Sequence, residues 1–334
     1  MVSVDRSTGA GLLLQTLEGP IRYALLDWAL ESGVFDLCQT PVTPELLGQR
    51  MELPTDTLTL ALRALVAAGF MEVWDLGYRT PPDILPFVQT GSARNMVETL
   101  RMMSVTRHGG LGQLGELIAG AAPASGARLF DDAHWDTHHR SLAGFHRALA
   151  TDATASCLTS LPEWDHARSL LEIGAGSADL AVRLLTSRPD LRISLFDLPP
   201  VAERIRIDAA DLPITILPGN YNQALPDGSY DIIWCSMSLY FHDSGLPALI
   251  ARLAERLTPG GVLVSFHEAL SDQRMFPPEH VLGRLIPALR QGDVSFSDGE
   301  IADAMAVAGL VRPTSERLST PFGRFRLDAA RKEV

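Results

Sequence analysis

Two glycines and two acidic residues near the middle of the chain have the types and spacing that suit a nucleotide-like ligand. Glu172 lies in a predicted buried strand, and Gly174 and Gly176 follow it in a turn before a helical pattern. Glycines there let the backbone turn tightly and approach a ligand closely. Asp197 ends the next predicted strand, about twenty residues on, where a carboxylate can accept hydrogen bonds from both ribose hydroxyls. The spacing predicts a site for a nucleoside-containing ligand.

Two kinds of ligand share this geometry, dinucleotides and S-adenosylmethionine. A dinucleotide fingerprint has a third glycine where this chain has Asp179, and an acidic residue at a helix start would repel a pyrophosphate. Glu172, by contrast, suits the cationic amino group of S-adenosylmethionine. An ordinary strand–turn–helix connection is the alternative, but it leaves the coincidence of these features unexplained. We therefore expect S-adenosylmethionine as the cofactor.

Three segments must position this site: residues 1–90, 91–162 and 163–334. The first has a helix, a turn, a second helix and two short strand-like runs, which is typical of a winged helix. The second is mostly helical, with a break rich in Gly, Ala and Pro at Ala119–Ala127. The third alternates apolar runs with helical segments, which predicts βαβ units and a parallel sheet. The expected fold class is α/β, a Rossmann-like domain preceded by an all-α, winged-helix domain. The predicted strands are Ser169–Ile173, Arg192–Phe196, Ile214–Leu217, Asp231–Cys235 and Val262–Phe266.

The winged-helix pattern raises the question of DNA binding. Its second helix, from about Thr55 to Ala68, has Arg63 as its only basic residue and also carries Asp56. A recognition helix presents several basic or amide side chains to phosphates and base edges. We therefore expect a packing or dimerisation role. A DNA-binding regulator with a sensory cofactor domain remains the alternative.

Composition narrows the functional class. The 334 residues are 46% hydrophobic, which argues against disorder, and the length suggests two domains. With 28 Lys and Arg against 40 Asp and Glu, the chain has no excess positive charge for nucleic acid. Neither a signal sequence nor a membrane-spanning apolar stretch is expected. Three scattered cysteines suggest neither a disulfide framework nor a metal cluster. We expect a cytoplasmic globular protein with no nucleic-acid or membrane partner.

The chain resembles the caffeate/hydroxyindole-type small-molecule methyltransferases, a class I S-adenosylmethionine-dependent family. The resemblance covers about residues 10 to 330 and rests on the winged helix, the helical segment and four motifs. It implies a homodimer with interlocked N-terminal helices, a cofactor-binding Rossmann-like domain and a small-molecule substrate held between domains. The motifs read LLEIGAGSADL, LFDLPPV, LPGNYNQALPDGSYDII and LTPGGVLVSFHEAL.

The resemblance also implies which residues hold the cofactor. Residues from Glu172 to Gly176 would line the methionine part, and Asp197, with Leu198 beside it, would hold the ribose. The family's Gly-Asp-Phe/Met segment beside the adenine reads Gly219-Asn220-Tyr221 here, and the asparagine amide can still hydrogen-bond the adenine amine. Ser236 stands where the family has a lysine near the adenine.

The catalytic position departs from the family pattern. There, a His-Asp-Trp segment after the fourth strand supplies the base, and counting from Asp231 places that histidine at Tyr240. Counting back from Pro259-Gly260-Gly261 gives Leu239, and neither register reaches His242 without a gap. We expect Tyr240 at the catalytic position, with His242 as the alternative base. Because an unperturbed tyrosine has a pKa of about 10, Tyr240 would orient an acceptor better than it would deprotonate one.

The family's two glutamates are not both kept. The first falls at His267 or Glu268 and the second near Ser295, so His267 and Glu268 are a candidate polar pair at the substrate. His146 belongs to a Phe-His-Arg-Ala segment that matches the family's Phe-Asn-x-Ala segment over the active site. Met103 is one of several apolar residues that suit either an apolar ligand or the core. His146, His267 and Met103 are therefore predicted to contact substrate, and Glu268 to act with the catalytic residue.

These observations predict O- or C-methylation of a small, aromatic or apolar secondary metabolite. Loss of the usual catalytic set favours one alternative on the same fold. In it, S-adenosylmethionine is cyclised or cleaved to release methylthioadenosine, or its sulfonium assists another reaction. No metal site is expected: His134, His138 and His139 have helical spacing, but no acidic or cysteine partner stands at a suitable distance.

Overall fold

The chain folds as two units, Met1–Val97 and Glu98–Val334. The computed structural model describes residues 8–120 and 132–334, with the backbone alone for 132–138. The helices between residue 98 and the sheet therefore belong to the second unit. Most of the break at Ala119–Ala127 and the side chains of His134 and His138 lie outside the described residues.

The first unit has the predicted helix–turn–helix and two-stranded wing. The Thr43 hydroxyl accepts a hydrogen bond from the Leu46 amide, and Pro44 takes the first position of the next helix, so that helix begins as the sequence indicated. Gly33 ends an earlier helix in the left-handed conformation, φ 70°. The elements are α1 Gly9–Thr16, α2 Glu18–Ser32, α3 Val34–Leu37, α4 Pro44–Met51, α5 Thr55–Ala67, β1 Glu72–Trp74, β2 Gly77–Arg79 and α6 Leu85–Val88.

The helices of this unit enclose a small core, but α1 and the start of α2 do not take part in it. Leu47, Leu62 and Leu65 are fully buried in the core. By contrast, five large apolar side chains of the first two helices and their junction are 57–73% exposed. They are Leu12, Leu13, Leu14, Leu17 and Ile21. We call these five residues the N-terminal apolar stripe.

The second unit is built on a seven-stranded sheet in the order β5-β4-β3-β6-β7-β9-β8. The first five strands in this order are parallel to one another. Strand β9 is antiparallel to both of its neighbours, β7 and β8. Since the chain runs outward from β3 on both sides, the carboxyl ends of β3 and β6 form the topological switch point where such sheets bind ligands. The strands are β3 Ser169–Ile173, β4 Arg192–Asp197, β5 Ile214–Pro218, β6 Tyr230–Ser236, β7 Leu257–His267, β8 Val311–Thr320 and β9 Gly323–Arg331.

The helices of this unit are α7 Val97–His108, α8 Leu114–Ile118, α9 Asp132–Phe145, α10 Thr151–Thr159, α11 Asp179–Ser187, α12 Pro199–Asp208, α13 Leu246–Glu255, α14 Pro278–Gln291 and α15 Glu300–Val307. Helices α10, α11 and α12 pack with one face of the sheet, and α13 and α15 pack with the other. A π-helical turn, His146–Ala150, joins α9 to α10. Strand β3 is buried along its whole length, which explains its continuous apolar run. None of the described helices is long and apolar enough to cross a membrane.

The expected α/β fold class is confirmed, with one correction to the sheet. The five predicted strands are all present, but the sheet is mixed because the C-terminal hairpin of β8 and β9 extends it. Strand β8 escaped prediction since its residues, VRPTSERLST, are nearly all exposed and show no apolar alternation. Its arginines, proline and glutamate are the residues that edge strands use against unwanted pairing.

Candidate active site

A cavity of about 870 Å³ opens at the carboxyl edge of the sheet, where β3 and β6 meet. Its walls come from the segments that follow β3, β4, β5 and β6, together with the end of α9 and the end of α14. Candidate cofactor residues on the wall are Gly174, Gly176, Asp197, Leu198, Asn220, Tyr221 and Ser236. The candidate catalytic residues Tyr240 and His242 and the candidate substrate residue His146 line the same cavity.

Glycine is required at both positions of the turn after β3. Gly174 and Gly176 have φ of 69° and 67°, the left-handed region that side chains disfavour. A Cβ atom at Gly174 would lie 2.6 Å from Cβ of Ser238, and one at Gly176 would lie 2.7 Å from Cδ2 of Leu142. The turn therefore packs directly against the loop after β6 and against α9.

Asp197 is held at the end of β4 by two backbone amides. Its two carboxylate oxygens accept hydrogen bonds from Gly176 and Leu198, each at 2.7 Å. Burial outweighs these bonds and raises the pKa of Asp197 to about 6. Each oxygen still has a lone pair, so the carboxylate can accept hydrogen bonds from a diol at the cavity wall.

Two buried polar atoms beside the glycine turn have no partner among the described residues. Oε2 of Glu172 and Oγ of Ser238 are buried and form no hydrogen bond. Burial, and then the charge of Asp197, raise the pKa of Glu172 well above its usual range. Unsatisfied buried polar atoms are rare in folded proteins, so these two are candidate contacts for a ligand at the turn. A cationic amino group would satisfy the glutamate, as the sequence suggested.

The segment after β5 holds the loop after β6 in place. The Tyr221 hydroxyl donates to the Ser238 carbonyl and accepts from the Phe241 amide, both at 3.1 Å. The side-chain amide of Asn222 donates from Nδ2 to the Phe241 carbonyl at 2.6 Å. Sequence analysis missed Asn222 and Ser238, although their places directly after β5 and β6 could have pointed to them. Tyr221 thus has a structural hydroxyl, and its ring faces the cavity.

Tyr240 has its hydroxyl committed to a buried ion pair. It lies in a short helical turn, Leu239–Phe241, and its hydroxyl donates to Glu268. Arg284 pairs with the other oxygen of Glu268, and its guanidinium lies 4.5 Å from the centre of the Tyr240 ring. Burial and the glutamate charge raise the pKa of Tyr240 well above its usual range. Tyr240 therefore stays protonated near neutral pH, and Glu268 is 1% exposed and not part of the cavity wall.

His267 lies beneath the loop after β6, not on the cavity wall. Its Nε2 accepts hydrogen bonds from the amides of Ser238 and Leu239 at 3.0 and 3.1 Å. Nδ1 therefore carries the proton and donates to Ser265 Oγ at 2.8 Å. Burial, with the nearby Arg284 charge, lowers the pKa of His267 to about 3. This neutral imidazole orders the loop and has no free nitrogen for a substrate.

His242 follows the same loop and faces the cavity. Its Nδ1 is buried and has no hydrogen-bond partner. Met103, by contrast, is half-buried on α7 and does not line the cavity. Of the two bases considered from the sequence, His242 has a ring nitrogen without a partner among the described residues, while the hydroxyl of Tyr240 is occupied.

His146, in the π-helical turn, covers the glycine turn from the other side. Its Nδ1 lies 2.8 Å from Ser177 Oγ, and Ser177 donates to Asp179 at 2.8 Å. The His146 ring therefore donates from Nδ1 and keeps a lone pair on Nε2. Burial, with the Arg147 charge, lowers the pKa of His146 to about 4, so the ring is neutral near pH 7. π-helical turns recur at functional sites.

Comparisons with known proteins agree with this geometry. Residues 170–261 match the family described as "Methyltransferase domain". The chain is 28% identical to the N,N-dimethyltransferase OxyT of Streptomyces rimosus, over 96% of each chain. It is 26% identical to the mitomycin biosynthesis 6-O-methyltransferase of Streptomyces lavendulae, over 88% of this chain and 87% of the relative.

The chain is an S-adenosylmethionine-dependent methyltransferase, with its methyltransferase domain at residues 170–261. The solved structure of human N-acetylserotonin methyltransferase with S-adenosylmethionine has the same fold, with a TM-score of 0.79, 17% identity and 100% coverage of both chains. The enzyme class and the cofactor expected from the sequence are thus confirmed. In this methyltransferase, Glu172 has no partner among the described residues and fits the cofactor's amino group, and the Asp197 carboxylate fits the ribose. The two left-handed glycines allow the cofactor to approach the backbone closely.

Affinity for the cofactor product S-adenosylhomocysteine is expected to rise with pH. The raised pKa values of Asp197 and Glu172 belong to the free protein. Ribose hydroxyls and an ammonium group favour the ionised carboxylates, so binding lowers both pKa values and releases protons. Below about pH 6 the dissociation constant should therefore increase by up to about tenfold per pH unit for each carboxyl that must ionise.

Calorimetry in buffers of different ionisation enthalpy measures this proton release directly. Glu172→Gln should reduce the number of protons released, because one titrating carboxyl is gone. An affinity that is flat between about pH 8 and about pH 5 would contradict the assignment of these two carboxyls to the cofactor.

Tyr240→Phe is expected to lower stability more than activity. The substitution leaves a buried Glu268 oxygen without its donor, which costs about 1–3 kcal/mol of unfolding free energy. Since the hydroxyl is not free to act as a base, kcat should fall less than about tenfold. Urea denaturation and steady-state kinetics measure the two effects. A large loss of kcat with unchanged stability would restore Tyr240 to the catalytic role that the sequence predicted.

Proposed function

We propose that this methyltransferase methylates a hydroxyl group of a small aromatic secondary metabolite, with His242 as the proton acceptor. The observation that carries the proposal is the buried, unpartnered Nδ1 of His242 in the same cavity as the cofactor residues. A phenol becomes a good nucleophile when its proton is removed, and imidazole is the side chain best suited to that task near neutral pH.

The residues around the cavity divide into a cofactor side and an acceptor side. Glu172, Asp197 and the backbone of Gly174 to Gly176 would hold S-adenosylmethionine, with Leu198, Asn220, Tyr221 and Ser236 around its nucleoside. When bound, the cofactor supplies an electrophilic methyl group. On the acceptor side, the rest of the wall includes Leu142, Phe145, Phe241 and Val294, which suit a flat apolar ring system. His242 would take a proton from the acceptor.

Nitrogen is the second candidate for the methylated atom. The relative OxyT is an N,N-dimethyltransferase, and it matches this chain over 96% of its length. The mitomycin relative is a 6-O-methyltransferase. Oxygen is favoured here because a neutral amine attacks without first losing a proton, whereas a phenol gains most from the base that the cavity presents.

Product analysis with an isotope-labelled methyl group tests the proposal. The enzyme is incubated with labelled S-adenosylmethionine and a panel of hydroxy- and amino-substituted aromatic compounds, and products are identified by mass spectrometry and NMR. A labelled O-methyl group with S-adenosylhomocysteine supports the proposal, and a labelled N-methyl group supports the second candidate. A labelled C-methyl group overturns both, as does methylthioadenosine, which marks the cyclisation or cleavage considered from the sequence.

The N-terminal apolar stripe supports the homodimer that the family resemblance implied, with residues 1–90 as the dimerisation segment. We expect light scattering to give twice the mass of one chain. Leu13→Glu combined with Leu17→Glu should shift the protein to a monomer, because it places charges on surface that a dimer would bury. Leu76→Glu is the matched control, since Leu76 is 90% exposed in the wing turn. A wild-type monomer would contradict the dimer.

A further inference from the structure

Arg290 is a cation of the cavity wall without an acidic partner in the part of the chain that the structure describes. It lies in the last turn of α14 and lines the cavity. Its Nε is buried and has no hydrogen-bond partner, and no described carboxylate lies within ion-pair distance of it. By contrast, Arg284 on the same helix pairs with Glu268, and Arg274 pairs with Asp293 at 2.8 Å. The donor of this guanidinium that is buried without an acceptor is therefore its Nε–H group.

The backbone holds one terminal nitrogen of the Arg290 guanidinium. Its Nη2 donates to the carbonyl of Gly109 at 2.8 Å. A Cβ atom at Gly110 would lie 3.2 Å from Nη2 and 3.0 Å from Cγ2 of Ile286, so the absence of a side chain there lets the guanidinium sit close to the backbone. An arginine is always charged, and a buried N–H donor without an acceptor lowers stability. A preorganised donor of this kind is suited to an anionic oxygen.

We propose that Arg290 binds an anionic oxygen of the acceptor, such as a carboxylate, and thereby selects acidic aromatic acceptors. This inference rests on the proposed methylation of a small aromatic compound and adds its chemical class. The cofactor also has a carboxylate. The residues expected to hold the cofactor, however, follow β3, β4 and β5, whereas Arg290 lies in α14. Binding of the cofactor carboxylate is therefore the competing outcome of the test.

The test uses hydroxybenzoic and hydroxyanthraquinone carboxylic acids, each paired with its methyl ester. Calorimetry measures the affinity of each compound for the complex of the enzyme with S-adenosylhomocysteine. Wild type should bind the acids about 10- to 100-fold more tightly than the esters. Arg290→Met should abolish the preference, and Arg290→Lys should retain part of it. Arg252→Met is the control, because Arg252 occupies the last turn of α13 and does not line the cavity.

Three results would overturn the inference: no acid binds, acids and esters bind equally, or the preference survives in Arg290→Met. A loss of S-adenosylhomocysteine affinity in Arg290→Met would assign the arginine to the cofactor carboxylate and would also overturn it. Because the readout is binding, it does not depend on turnover. Failure of the proposed function shows itself separately, as the absence of an O-methylated product while acids still bind.

Discussion

Replacing His242 with alanine is expected to reduce kcat for O-methylation by about 100- to 10,000-fold. The dissociation constant of S-adenosylhomocysteine should change less than about twofold, since the ring is not among the residues that suit the cofactor. The reason is the free Nδ1 of His242, which can accept the acceptor proton within a cavity where Tyr240 and His267 have their polar atoms occupied.

The pH profile of the variant separates a base from a structural residue. Without the imidazole, the reaction must use acceptor molecules that are already ionised, so the activity of His242→Ala should climb with pH up to the pKa of the phenol. Adding imidazole to the buffer should restore part of the rate. Circular dichroism and urea denaturation show whether the fold is intact. If His242→Ala keeps most of its kcat while Tyr240→Phe loses it, the base assignment is wrong.

Replacing Asp197 with alanine is expected to weaken S-adenosylhomocysteine binding by about 100-fold or more. Two effects combine. The ribose loses its acceptor, and the amides of Gly176 and Leu198 lose the carboxylate that holds their loops together. Asp197→Asn should be milder, because an amide oxygen can still accept one of these bonds.

Calorimetry at a pH above the Asp197 pKa of about 6 measures the effect with the carboxylate ionised. Asp211→Ala is the matched control, since Asp211 is an exposed acid that follows α12 and does not line the cavity. Retained affinity in Asp197→Ala would mean that the nucleoside is held elsewhere on the wall. Equal losses in both variants would indicate a general effect of charge.

Local sequence was sufficient for the cofactor half of the cavity. Glu172, Gly174 and Gly176 lie within five consecutive residues at the end of β3. Asp197 ends the neighbouring strand β4, one residue after Phe196, which pairs with Ile173 of β3. The strand–turn–helix geometry that brings such residues together is short-range and common to open parallel sheets. The winged helix was predictable for the same reason, because capping residues and turns mark its elements.

The acceptor side of the cavity could not be predicted from the spacing of residues in the sequence. Tyr240 meets Glu268 across 28 residues, and Arg290 meets Gly109 across 181. Register counting placed Tyr240 at the catalytic position, but it could not show that the hydroxyl points into an ion pair. Nor could it show that His267 turns its lone pair to two backbone amides.

The sequence by itself determined the α/β class, the five parallel strands and the cofactor of this methyltransferase, because those depend on apolar periodicity and on residues close together in the chain. Only the tertiary structure decided that the sheet ends in an antiparallel hairpin and that, among the described residues, Nδ1 of His242 and Nε of Arg290 have no hydrogen-bonding partner at the cavity. These properties depend on which polar groups find partners after packing. Burial makes each unmet hydrogen bond costly, so those that line the cavity are candidate ligand contacts.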